Sequence, residues 1–136
     1  MFGIVGESGS GKTQAARAIM GLTPAPRVVA GGAVLFEGVD VTKAEPAVLR
    51  KLRGARIGMV FQEPMTSLNP VFPIGTQLVD VLRRHKPVSR RQAVERAEYL
   101  LRRVGITNPQ DRMKQYPFEL SGGLRQRVMI AMALIS

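Results

Sequence analysis

The feature that most constrains this chain is the run GESGSGKT at residues 6–13, which follows an apolar run at residues 2–5. Glycines at these spacings let the backbone curl so that successive N–H groups point inward at an anion, and the positive end of a following helix faces the same point. In such a loop Lys12 reaches the β- and γ-phosphates of a nucleotide, and the hydroxyl of Thr13 ligates the magnesium ion that bridges them. The pattern therefore predicts a strand, a loop that binds a nucleoside triphosphate, and a helix that begins at Lys12.

The residues predicted to bind the phosphates form one continuous loop. They are Gly6, Glu7, Ser8, Gly9, Ser10, Gly11, Lys12 and Thr13. The alternative is an ordinary glycine-rich turn, which the strand pattern before the loop and the helix pattern after it disfavour.

The net charge of +10 raises the question of nucleic-acid binding. Residues 81–127 contain twelve Lys or Arg against four Asp or Glu, so most of the excess lies in one block. Its arginines occur in pairs on predicted helix surfaces, with few aromatic side chains interleaved for base stacking. Solvated helix faces are therefore the favoured interpretation and nucleic acid is not an expected partner. A phosphate-loop protein that binds nucleic acid through this block stays as an alternative, which the salt dependence of DNA affinity tests.

The chain has no cysteine and one histidine, His85. This composition excludes a disulfide framework and a thiolate metal site. The longest apolar stretch, residues 128–135, is too short to cross a bilayer, and the first residues lack a signal-peptide pattern. We expect this polypeptide not to span a membrane.

Hydrophobic periodicity and turn residues predict alternating strands and helices. The predicted helices are residues 12–20, 46–53, 74–84, 89–104 and a last helix after residue 123, and the predicted strands are residues 2–5, 33–37 and 56–62. Ser89 and Gln92 form the sequence pattern of a capping box. Residues 63–73 contain three prolines and no periodicity, which indicates a loop with a functional surface.

Three separated motifs occur in order: GESGSGKT at residues 6–13, MVFQEPMTSLNP at residues 59–70 and LSGGLRQR at residues 120–127. Together they resemble the ATP-binding cassette (ABC) transporters, and the match is closest to the ATP-binding subunits of oligopeptide and dipeptide importers, a group that also serves nickel. The resemblance covers nearly all 136 residues. It implies an α/β fold, namely a phosphate-loop NTPase of the ABC type, incomplete, with an inserted helical subdomain.

The resemblance also implies a division of the chain into three segments. Residues 1–73 would be the phosphate-loop part of the core, together with the loop that follows Gln62. Residues 74–120 would be the helical subdomain, and residues 121–136 would carry the signature motif and the start of its helix.

By this resemblance, Gln62 corresponds to the glutamine that contacts the magnesium ion and positions the attacking water, a catalytic and metal-binding role. An amide can accept from water and approach a metal without adding charge. The loop at residues 63–72 would receive a short helix of a membrane permease. Its apolar side chains are Met65, Leu68, Val71 and Phe72, and the alternative is that some of them pack in the core.

Ser121, Gly122 and Gly123 correspond to the signature that binds ATP held by a partner protomer. A serine hydroxyl and glycine amides at a helix N-terminus suit a γ-phosphate. Read without the resemblance, the same three residues are an ordinary helix N-cap with a flexible approach.

The implied cofactors are ATP and Mg²⁺, and Thr13 and Gln62 are the implied metal ligands. The implied partners are a second ATP-binding subunit, identical or homologous, two transmembrane permease subunits and, indirectly, an extracytoplasmic solute-binding protein. Such a subunit would lie at the cytoplasmic face of the cell membrane as a peripheral protein. It would couple ATP binding and hydrolysis to the uptake of peptides or similar small solutes.

The sequence also departs from the family pattern. It has no strands or adenine-stacking aromatic residue before Phe2, and it stops within the signature helix, before the Walker B aspartate, the catalytic glutamate and the switch histidine of the family. We therefore expect a chain truncated at both ends, whose isolated 136 residues hydrolyse ATP no faster than background. The alternative function is a non-catalytic remnant or regulator that competes for transporter partners.

Overall fold

The structure is a computed structural model that describes residues 3–22, 32–61 and 67–136. The chain divides into two compact units, Met1–Arg53 and Gly54–Ser136. In chain order the elements are helix α1 (Lys12–Ile19), strands β1 (Leu35–Phe36) and β2 (Val39–Asp40), helices α2 (Pro46–Leu52), α3 (Ile74–His85), α4 (Arg90–Arg103) and α5 (Pro109–Arg112), a 3₁₀ helix (Pro117–Glu119), and helix α6 (Gly122–Leu134). The three-segment division expected from the motifs stays a prediction.

The first unit contains α1, α2 and a short antiparallel hairpin. Helix α1 ends as predicted, because Gly21 takes a φ of +63° that favours glycine. The side chain of Arg53 donates from Nε to the carbonyl oxygen of Met20 at 2.8 Å and from Nη2 to that of Gly21 at 2.6 Å. Arg53 thereby satisfies carbonyl groups that a helix C-terminus leaves without partners.

The hairpin pairs β1 with β2 in the register Leu35 to Asp40 and Phe36 to Val39. Its two-residue turn consists of Glu37 and Gly38, both with positive φ. A turn of this kind matches the natural twist of the flanking strands. The hairpin begins within residues 33–37, where a strand is predicted, and Gly38 lies in the turn that follows.

The second unit is built on helices α3, α4 and α6, which pack around one apolar core. Its buried side chains are Leu68, Ile74, Leu78, Val79, Leu82, Ala93, Ala97, Leu100, Leu101, Ile106, Leu120, Val128, Met129, Ala131 and Ile135. The predicted capping box of α4 is confirmed: the Ser89 hydroxyl accepts from the Gln92 N–H, and the Gln92 side chain accepts from the Ser89 N–H. The helix boundaries of this unit follow from caps and periodicity that are visible in the sequence.

Two predicted strands are wrong for the residues that the structure describes. Residues 3–5 form no strand, and neither do residues 58–61; Phe2 and Gln62 lie outside the described residues. Val5 is 97% exposed, which is incompatible with the buried strand that its apolar neighbours suggested. A strand exists only with a hydrogen-bonded neighbour, and an apolar run does not supply one.

No helix of the described residues is long and apolar enough to cross a membrane.

Candidate nucleotide-binding site

The loop at residues 6–13 lies in the first unit and leads directly into α1. Gly9 and Gly11 take φ angles of +83° and +90°, a backbone conformation that side chains other than glycine rarely adopt. The Ser10 N–H donates to the Glu7 carbonyl oxygen at 3.2 Å, which closes a tight turn. Gly9 and Gly11 are therefore required by the backbone path of the loop.

The ammonium group of Lys12 lies inside this loop. Lys12 Nζ donates to the carbonyl oxygens of Gly6 at 2.7 Å and Glu7 at 2.6 Å, and to Ser10 Oγ at 3.2 Å. An ammonium group has three protons, so the loop itself uses all of them. A phosphate oxygen that enters the loop must replace or share these hydrogen bonds of the Lys12 ammonium group. The positive charge of Lys12 already lies inside the loop.

The first turn of α1 remains open to an anion. Its N-cap is Gly11, and no side chain among the described residues caps it. The Gly11 carbonyl oxygen accepts from the Ala15 N–H at 2.9 Å, and the amides of the preceding turn have no partner within the helix. Thr13 is exposed in this turn. The amides and the hydroxyl suit a phosphate with a bound magnesium ion.

The signature residues lie in the second unit, at the start of α6. Ser121 is the N-cap, and its hydroxyl accepts from the Leu124 N–H at 3.3 Å. Gly122 and Gly123 are exposed, and a Cβ built on either glycine would find no heavy atom within 4 Å. The ordinary cap and the open glycine approach therefore coexist in the same residues.

A family model described as "ABC transporter" matches residues 1–136. The chain belongs to the ABC transporter family. The oligopeptide transport ATP-binding protein OppD of Bacillus subtilis (strain 168) is 50% identical over 132 residues, which is 96% of this chain and 37% of that protein. The probable D,D-dipeptide transport ATP-binding protein DdpD of Escherichia coli (strain K12) is 52% identical over 134 residues, which is 98% of this chain and 41% of that protein.

Solved structures of ABC cassettes share the fold. The ATP-binding cassette MJ0796, in a dimeric post-hydrolysis state bound to ADP and Pi, superposes with a TM-score of 0.81 at 28% identity, over 95% of this chain and 53% of that one. The α/β fold of the ABC-type phosphate-loop NTPases is therefore confirmed. This ABC chain spans about two-fifths of the length of the curated relatives named above.

The other predicted residues of this chain differ in whether the structure describes them and in how exposed they are. Gln62 and Met65 lie outside the described residues. Leu68 is 3% exposed and belongs to the core, so its placement on a surface that contacts the permease is wrong. Val71 and Phe72 are 71% and 49% exposed. In this loop Leu68 is therefore a core residue, and Val71 and Phe72 are exposed apolar residues.

Two contacts in the second unit were not predicted from the sequence. The Gln77 carboxamide bonds the backbone of the loop that precedes α3, and Arg127 Nη1 bonds the carbonyl oxygens at the end of α4. Neither contact is indicated by the local sequence. The partners of Arg127 are more than twenty residues away along the chain, and those of Gln77 depend on the path of an irregular loop.

Helix α4 carries two ion pairs within the basic block. Within the basic block Arg91 pairs with Glu95 and Arg102 with Glu98, at helical i, i+4 spacing. Among the described residues, no group of three or more His, Cys, Asp or Glu side chains could hold a metal ion.

Proposed function

We propose that this chain provides the phosphate loop and the signature motif of an ATP-binding subunit in an ABC importer for peptides or similar small solutes. The observation that carries the proposal is the first unit's loop, in which positive-φ glycines, the Lys12 ammonium and an uncapped helix start converge. Family membership supports the same conclusion.

In this proposal residues 6–13 hold the phosphates of ATP. The backbone amides at the start of α1 donate to phosphate oxygens, and Lys12 exchanges carbonyl partners for the β- and γ-phosphates. Thr13 supplies a hydroxyl ligand to Mg²⁺, and Gln62 has the proposed role of orienting water beside that ion. When bound, MgATP supplies the phosphoanhydride whose cleavage releases the free energy used in transport.

Ser121, Gly122 and Gly123 act on a nucleotide held by a second ATP-binding subunit. The open space beside both glycines lets a phosphate approach the first amides of α6, and the Ser121 hydroxyl lies at the same helix end. The dimeric cassette structure supports this arrangement, since it is a two-subunit state of a protein with the same fold.

The permease partner would contact the loop that contains Val71 and Phe72. Both side chains are exposed although they are apolar, and an exposed apolar pair suits an interface with another protein. The subunit would then lie at the cytoplasmic face of the membrane, and a solute-binding protein on the other side would deliver the cargo. Peptides are the proposed cargo because the relatives at 50% and 52% identity are named for oligopeptide and dipeptide transport.

Uptake by intact cells tests this proposal. We expect deletion of the gene to reduce uptake of a radiolabelled tripeptide, the native gene to restore it, and the Lys12→Ala gene not to restore it. Unchanged peptide uptake after deletion would contradict the peptide cargo. Loss of nickel uptake instead would keep the importer and change its solute.

A further inference from the structure

Gln77, in the second turn of α3, is bonded to the loop that precedes its own helix. Its Oε1 accepts from the Asn69 N–H at 3.0 Å, and its Nε2 donates to the carbonyl oxygens of Asn69 at 2.9 Å and Phe72 at 2.8 Å. One carboxamide therefore makes three hydrogen bonds to the backbone of residues 69–72. This is nearly the full capacity of the group.

The bonded segment is also fixed at both ends. Leu68 precedes it and is 3% exposed, and Ile74 follows it and is fully buried. Within the segment, Asn69 Oδ1 accepts from the Val71 N–H at 3.0 Å. The side chains of Val71 and Phe72 nevertheless remain 71% and 49% exposed, so the contacts order a segment whose apolar side chains face outward.

The arrangement differs from ordinary helix capping. Gln92, in the first turn of α4, accepts from the N–H of its own N-cap, Ser89. Gln77 instead reaches past Pro73, the N-cap of α3, and bonds the loop. The two glutamines are thus a matched pair, since one stabilises a helix start and the other holds a loop.

We propose that Gln77 is a positioning residue, which holds residues 69–72 in the conformation that presents Val71 and Phe72 to an apolar segment of the permease. The inference rests on the proposed function. A surface ordered before binding loses less conformational entropy when the partner arrives. Gln77 therefore acts on affinity through Val71 and Phe72, without contact of its own with the partner.

The first test is amide hydrogen exchange of the chain, measured by NMR. Gln77→Ala is expected to speed exchange at Asn69 by roughly threefold to tenfold and to leave Ser89 unchanged. Gln92→Ala is the control and should do the reverse. Unchanged exchange at Asn69 in Gln77→Ala would overturn the inference whatever the function of the protein.

The second test is a double-mutant cycle on binding to the permease pair purified from the same cells and held in nanodiscs. Gln77→Ala and Phe72→Ala are each expected to weaken the Kd roughly fivefold or more, and Gln92→Ala to leave it unchanged. In the Phe72→Ala background, Gln77→Ala should add less than about twofold, because its effect passes through the same surface.

The outcomes separate the two proposals. If the native chain does not bind the permease, the proposed partner and the docking role of Gln77 both fail. If the native chain binds and Gln77→Ala binds equally well, or its effect is independent of Phe72, only the role of Gln77 fails. Gln77→Met, which keeps the side-chain volume and removes the carboxamide, should behave as Gln77→Ala does.

Discussion

Arg127 of helix α6 donates from Nη1 to the carbonyl oxygen of Gly105 at 2.7 Å, and to that of Val104 at 3.3 Å. These carbonyls lie at the C-terminal end of α4, where a cation is favoured by the helix dipole. The helix that carries the signature residues is thereby joined to the end of α4. The position of the signature residues within the second unit therefore depends on the Arg127 hydrogen bonds as well as on the apolar core.

Replacement of Gly105 should disturb this contact. A Cβ at residue 105 would lie 2.5 Å from Arg127 Nη1, and Gly105 has a φ of +81°. Gly105→Ala should therefore lower the free energy of unfolding by about 1–2 kcal/mol, measured by denaturant titration. Gly123→Ala is the control, since its Cβ would meet no atom within 4 Å. Equal stabilities of the two variants would contradict the assigned role of Gly105.

Ser121 and Ser89 are both N-caps whose hydroxyls accept from a backbone N–H three residues later. Ser121→Ala and Ser89→Ala should each cost about 1 kcal/mol of stability, because each leaves a helix amide without its partner. Only Ser121→Ala should also weaken association of two protomers in MgATP, measured by sedimentation. The same loss of association in Ser89→Ala would mean that the effect of Ser121 is structural.

Lys12 is the cation that lies inside the phosphate loop. Lys12→Ala should weaken MgATP binding by at least about tenfold, since a charge-assisted contact to phosphate is lost. Lys51→Ala, which removes an exposed lysine of α2, should leave the Kd unchanged. Calorimetric titration measures both variants, and an unchanged Kd for Lys12→Ala would contradict the assignment.

Asp40 should titrate below its usual range. The Thr42 hydroxyl donates to Asp40 Oδ1 at 2.6 Å, and this hydrogen bond holds the pKa of Asp40 below its ordinary value of 3.8. The pKa is lower in the folded state than in the unfolded state, so the stabilising contribution is complete above the ordinary value and is lost as the pH falls through the lowered one. Thr42→Val should raise the pKa of Asp40 in an NMR titration, whereas Thr42→Ser should preserve the shift. A pKa that Thr42→Val leaves unchanged would refute the Thr42 hydroxyl as the cause of the shift.

Sequence patterns predicted the helices better than the strands. Gly21 and Gly105 follow helix ends with a positive φ, and Ser89 begins a helix through its side-chain cap, so those boundaries are local properties. Residues 3–5 and 58–61 form no strand, because a strand needs a hydrogen-bonded neighbour that an apolar run does not specify.

In the candidate site, too, features set by the local sequence could be predicted, and features that depend on packing could not. The loop at residues 6–13 could be predicted because a glycine path and a lysine at fixed spacing encode it locally. The burial of Leu68 and the bonds of Gln77 could not, because both arise from the packing of a turn-rich segment on α3. The binding and catalytic roles of the predicted site residues, Gln62 included, stay predictions.

The most direct test of the account is a mixing experiment, because the phosphate loop and the signature are proposed to complete each other's sites across two protomers. Lys12→Ala and Ser121→Ala chains, each alone, should associate weakly in MgATP, whereas their mixture should recover association, since one site then combines an intact loop with an intact signature. Sedimentation velocity measures all three samples. Recovery in the mixture is the predicted result, and a mixture that associates no better than either variant, while the native chain does associate, would contradict the account.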